Sequence, residues 1–68
     1  MEAILVKFND SIQVEWEDGT ISRLNLNGQR VKIIDREGDN IYWCEPIGFP
    51  RKGKFSINKS NLEIIRER

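Results

Sequence analysis

Sixty-eight residues leave room for one small core and no second domain, because a chain of this size buries only about 60% of the surface it exposes when unfolded. Eleven basic and eleven acidic side chains cancel, which argues against a protein that coats nucleic acid through bulk charge. A single cysteine and no histidine exclude an internal disulfide and remove the commonest ligand of zinc, so neither a structural metal nor a cofactor is expected.

No run of about 18 apolar residues offers a membrane span. Glu2 stands where a signal peptide favours a basic residue, so the expected address is the cytoplasm, where Cys44 stays reduced. The charge is uneven along the chain. Met1 to Gly28 carries two basic against five acidic residues, Gln29 to Pro50 three against four, and Arg51 to Arg68 six against two. A local basic surface is therefore compatible with overall neutrality.

Short alternating segments separated by turn residues recur along the chain, which predicts an all-β domain. Ala3 to Phe8 forms the first segment, with Ile4, Val6 and Phe8 on one face, and Asn9-Asp10 makes a turn. Ile12, Val14 and Trp16 then alternate with Gln13, Glu15 and Glu17, as in a strand with one buried and one wet face. Asp18-Gly19 suits a two-residue type I′ hairpin loop. The return strand, Thr20 to Leu26, has Ile21 out of phase with Leu24 and Leu26, so a β-bulge is expected near Ser22 or Arg23.

Asn27-Gly28 repeats the hairpin chemistry, and a strand over Arg30 to Arg36 follows, with Ile34 slipping to the face opposite Val31 and Ile33. After a turn at Glu37 to Asn40 comes the most apolar stretch, Ile41 to Ile47. Its two faces, Ile41, Trp43 and Glu45 against Tyr42, Cys44 and Pro46, are both partly apolar. Such a strand is covered on both sides or offers an aromatic face to a partner. Gly48 to Gly53 reads as a loop, Lys54 to Ile57 as a short strand, Asn58 to Asn61 as a tight or 3₁₀ turn, and Leu62 to Ile65 as the last strand.

Strands this short and numerous are closed most economically by a small, strongly bent barrel. The run from Gly28 to Ile65 resembles the second half of an SH3-like barrel. It carries Val31-Lys32-Ile33-Ile34, Ile41-Tyr42-Trp43-Cys44-Glu45, Gly53-Lys54-Phe55-Ser56-Ile57 and Asn61-Leu62-Glu63-Ile64-Ile65. A short 3₁₀ turn commonly precedes the last strand in that superfamily. Val14-Glu15-Trp16-Glu17-Asp18-Gly19-Thr20 resembles the strand, acidic turn and strand of Tudor-type members. The resemblance implies an SH3-like barrel of about five to seven short antiparallel strands, to which the hairpin at Ala3 to Glu17 would be an addition.

Catalytic constellations are hard to find. Cys44 has no histidine to activate it and reads as a small hydrophobe in a strand. Glu15 and Glu17 share a strand face that alternation turns to water, and Asp35, Glu37 and Asp39 form a turn without the glutamate that would close a calcium loop. No glycine-rich loop opens a helix to cradle phosphate. A non-catalytic role is expected.

Two surfaces remain as candidates. Phe49, Arg51, Lys52, Lys54, Phe55 and Lys59 interleave rings and cations around a loop, a mixture that suits phosphates and bases or an acidic protein. Tyr42, Trp43 and Trp16 are the aromatic set. Tudor-like proteins use such rings to cage methylated lysine or arginine, although Trp16 and Trp43 lie in phase with Ile12, Val14 and Ile41 and read as core. The expected function is a protein-interaction module or small accessory subunit, with Tyr42, Phe49, Arg51, Lys52, Lys54 and Lys59 as contact residues. A nucleic-acid-binding barrel using Arg51 to Lys59 is the alternative, and an exposed edge strand would also permit homo-oligomers.

Overall fold

In the computed structural model, which describes residues 2–66, seven strands follow one another: β1 (Glu2–Val6), β2 (Ser11–Trp16), β3 (Ile21–Asn25), β4 (Arg30–Glu37), β5 (Ile41–Pro46), β6 (Gly53–Asn58) and β7 (Leu62–Arg66). A 3₁₀ turn, Lys59–Asn61, separates the last two. All pairings are antiparallel, in the order β3-β2-β6-β5-β4-β1-β7, so the chain is an all-β domain in one sheet.

The sheet bends around a single core without closing, leaving β3 and β7 as free edges. Val6 from β1, Ile12, Val14 and Trp16 from β2, Val31 from β4, Cys44 from β5, and Phe55 and Ile57 from β6 meet in one cluster with Leu26. Period-two alternation accounts for the cleanest contributions. In β2, Ile12, Val14 and Trp16 are buried and Ser11, Gln13 and Glu15 exposed; in β6, Gly53, Phe55 and Ile57 are buried and Lys54, Ser56 and Asn58 exposed.

Several local expectations are corrected. The first two strands do not form a hairpin: β1 lies between β4 and β7, while β2 pairs with β3 and β6. The hairpin in this part of the chain is β2–β3. Its loop has three residues, Glu17, Asp18 and Gly19, because the Trp16 N–H donates to the Thr20 carbonyl at 2.9 Å and the Gly19 N–H to the Trp16 carbonyl at 3.0 Å. Only Gly19 has positive φ (88°), which fits a turn followed by a left-handed residue rather than type I′.

No bulge interrupts β3, whose register with β2 is unbroken, and Ile21 simply points to solvent at 58% exposure. The bulge lies in β4, where the register with β5 shifts between Ile33 and Asp35 and Ile34 is left on the outside, as its out-of-phase position predicts. Asn27-Gly28 is no hairpin loop either. The turn from Leu26 to Gln29 docks on β1, with the Gly28 N–H on the Val6 carbonyl at 2.7 Å and the Val6 N–H on the Gln29 carbonyl at 3.1 Å.

β5 reverses the expected phase. Cys44 and Pro46 are buried and Tyr42 leans on the core, whereas Trp43 lies on the outer face opposite Ser56. Both faces of this strand carry apolar residues, and the neighbours decide: Tyr42 faces Ile57 and Cys44 faces Phe55, both of them core residues of β6. Pro46, which has no ladder donor, sits at the strand end.

Candidate functional site

The outer face of the sheet carries a crease where β2 and β6 part. These strands pair only at Glu15–Lys54 and Trp16–Gly53, and then each follows its other neighbour, β2 along β3 and β6 along β5. The Glu17 N–H donates to the Lys52 carbonyl at 2.9 Å, so alternation turns the main-chain groups of Glu15 and Lys54 toward one another. The next rung would be Gln13 with Ser56. It is not made, and their main-chain groups face the crease.

Trp43 forms one wall of this groove. Its indole N–H donates to Glu37 Oε2 at 3.3 Å, and Lys54 Nζ stands 5.5 Å from a ring centroid. Phe8 and Asn61 close the far end, and Ser11, Gln13, Ser56 and Asn58 supply hydroxyl and amide groups along the sides. Glu15 faces Lys54 across the sheet, and Asp35 is the cross-strand partner of Trp43. A neutral, hydrogen-bonding trough thus runs beside an accessible indole with carboxylates at its rim.

A second cluster lies at the opposite end of β2. Trp16 is 5% exposed and its indole N–H donates to Ser22 Oγ at 2.9 Å. Phe49 packs against it with centroids 5.5 Å apart and planes at 50°, and the Arg51 guanidinium sits 4.4 Å above the ring. Arg51 also bonds Asp18 Oδ2 at 2.8 Å and Thr20 Oγ1 at 3.1 Å. The Thr20 hydroxyl and then the Thr20 N–H, followed by Arg51, hold the Asp18 carboxyl below its ordinary value, with desolvation opposing them. This cluster fastens the β5–β6 loop over Trp16.

The contact residues expected from the sequence fall in three places. Lys54 belongs to the groove. Phe49, Arg51 and Lys52 belong to the loop over Trp16, where Arg51 is engaged by Asp18. Tyr42 and Lys59 line a separate hollow with Ile33, Leu62 and Ile64, and Arg36 lies 5.4 Å from the Tyr42 ring. No aromatic cage forms, because Trp16 is core and Tyr42 and Trp43 occupy opposite faces of β5. Trp43 is the contact candidate that alternation assigned to the interior. The presence of apolar residues on both β5 faces was the one signal that could have freed it.

Cys44 is buried, and desolvation pushes its thiol up to about 11, so it is a protonated core group at neutral pH. Among the described residues, no three histidine, cysteine or carboxylate side chains gather into a set able to hold a metal, and no helix is long and apolar enough to cross a membrane. Comparison with protein-family models, curated proteins and solved structures finds no match. The groove's own chemistry therefore carries the functional argument.

Proposed function

We propose that this chain is a non-catalytic protein-interaction module that holds an extended segment of a partner protein in the groove between β2 and β6. The observation that carries this reading is the unmade rung at Gln13 and Ser56 beside the accessible Trp43. An extended segment presents alternating N–H and C=O groups, which these main-chain positions and the amide side chains of Gln13, Asn58 and Asn61 can satisfy. Trp43 provides the large, stiff contact area that dominates binding energy at small interfaces.

Protein is favoured over nucleic acid by the rim. Glu37 accepts from the Trp43 indole, Asp35 is the cross-strand partner of Trp43 and Glu15 lines the same groove, so a phosphate backbone laid there would meet carboxylates as well as Lys54. Arg51, which a phosphate-binding loop would need, is occupied by Asp18 and the Trp16 ring. The strand order and the 3₁₀ turn before β7 also support kinship with SH3-like barrels, with β2–β3 as the inserted hairpin.

The test is selection of peptides from a random display library on the immobilised chain, followed by backbone amide NMR titration. Enriched peptides should shift Gln13, Trp43 and Ser56, and Trp43→Ala should weaken them at least roughly tenfold, as truncation of an interface anchor does. Peptides that shift only other surfaces, or oligonucleotides that shift Phe49 through Lys59 in a salt-sensitive way, would overturn the assignment.

A further inference from the structure

The free edge of β7 is built to pair with itself. The Lys7 N–H donates to the Asn61 carbonyl at 2.7 Å and continues the β1–β7 ladder. Alternation then directs the main-chain groups of Glu63 and Ile65 toward β1 and those of Leu62, Ile64 and Arg66 away from the sheet. The Leu62 N–H is taken by the Lys59 carbonyl of the 3₁₀ turn, and among the described residues no strand pairs with the rest of that outward side. The strand is apolar on both faces at its centre, with Ile64 54% and Ile65 37% exposed. Its charged residue there, Glu63, is already neutralised by Lys7 at 2.9 Å.

We propose that two copies of this chain associate through antiparallel pairing of β7 with β7, Ile64 lying opposite its own copy on a two-fold axis. A two-fold axis perpendicular to a sheet keeps every side chain on its own face, so only registers that set one residue against itself are allowed. Centring on Glu63 would oppose two carboxylates. Centring on Ile64 keeps them apart and allows a reciprocal pair of hydrogen bonds at Ile64 and one more, from the Arg66 N–H to the Leu62 carbonyl, at each Leu62–Arg66 contact.

The side chains agree with this register. Ile64 and Leu62 line the hollow that also holds Ile33 and Tyr42, and the axis brings two such hollows together, covering apolar surface that the small core leaves open. The other edge resists the same arrangement. The Trp16–Thr20 hydrogen bond fixes Ile21, Arg23 and Asn25 as the outward residues of β3, so the equivalent axis sets Arg23 against Arg23.

Sedimentation velocity across micromolar to millimolar concentrations tests the proposal. The parent chain should pass from monomer to dimer, and Ile64→Lys, which opposes two ammonium groups at the axis, should weaken the dimer at least tenfold. Ile21→Lys on β3 should leave it unchanged. Ile64→Cys should form a disulfide-linked dimer under mild oxidation, since directly opposed residues of this kind have Cα atoms about 5.5 Å apart, within disulfide reach. A parent chain monomeric throughout, a dimer indifferent to Ile64→Lys, or an Ile64→Cys chain that does not cross-link would overturn it.

Discussion

Gly53 lies so close beneath the Trp16 ring that a Cβ on it would come within 2.6 Å of the indole Cε3 and 3.0 Å of a Val14 methyl. The two residues are also cross-strand partners, at the point where β2 and β6 are joined. A glycine that looks like loop punctuation in the sequence is therefore the floor under the largest core aromatic, and its missing side chain is what lets the two strands meet.

Gly53→Ala should destabilise the fold by about 1–3 kcal/mol, the usual cost of overpacking a filled site. Gly19→Ala makes a useful contrast, because nothing lies within 4 Å of its Cβ position and the cost there, about 1–2 kcal/mol, comes from a φ of 88°. Urea denaturation gives both values. Indole fluorescence should separate the two variants, changing with Gly53→Ala and staying constant with Gly19→Ala.

Phe55→Ala should abolish a stable fold at room temperature. Phe55 is among the fully buried side chains, and removing such a ring costs about 3–5 kcal/mol. A core of this size supplies a net stability of about the same amount. Amide dispersion in a proton–nitrogen NMR spectrum should collapse in this variant, and a well-dispersed spectrum would show a larger reserve of stability.

Acid should loosen the clasp over Trp16. The Asp18 carboxyl is held below its ordinary value in the folded chain, so its contribution is present above the unfolded value of about 3.9 and is lost as pH falls through the folded one. Asp18→Asn should accordingly lose less stability than the parent between about pH 4.5 and pH 2. Equal losses in the two chains would show that Asp18 carries none of the acid sensitivity.

Alkali acts through Cys44 with the opposite sign. Its thiol is raised to about 11 in the fold, so stability is full below the unfolded value of roughly 8.5 and declines as pH rises toward 11. At neutral pH an aromatic disulfide reagent should label Cys44 only at the rate of unfolding, and urea should accelerate it. Cys44→Ala should flatten the decline above pH 9.

The strands themselves were legible because alternation is a local signal. Ile12, Val14 and Trp16 on β2 and Phe55 and Ile57 on β6 are buried where period two sets them. β5 was ambiguous for a physical reason: with apolar residues on both faces, its phase is chosen by Phe55 and Ile57 of the neighbouring strand β6, not by its own pattern. Ile21 has the same cause, since no bulge is needed once solvent accepts an isoleucine. Turn chemistry predicted where the chain reverses and failed to say which strands then meet, as the separation of β1 from β2 shows. The groove could not be read at all. It exists because two strands far apart in sequence pair briefly and then part.

The position of β1 has a consequence for how the molecule is made. β1 is made before both of its neighbours and is held between β4 and β7, so its apolar residues find their final neighbours only after β7 has been added. Pairing between distant segments is slow, on the order of milliseconds to seconds for β topologies of this kind. During synthesis Ala3 and Leu5 must therefore wait beside an open flank, and a nascent chain stopped before Leu62 should be captured by chaperones that the finished one escapes.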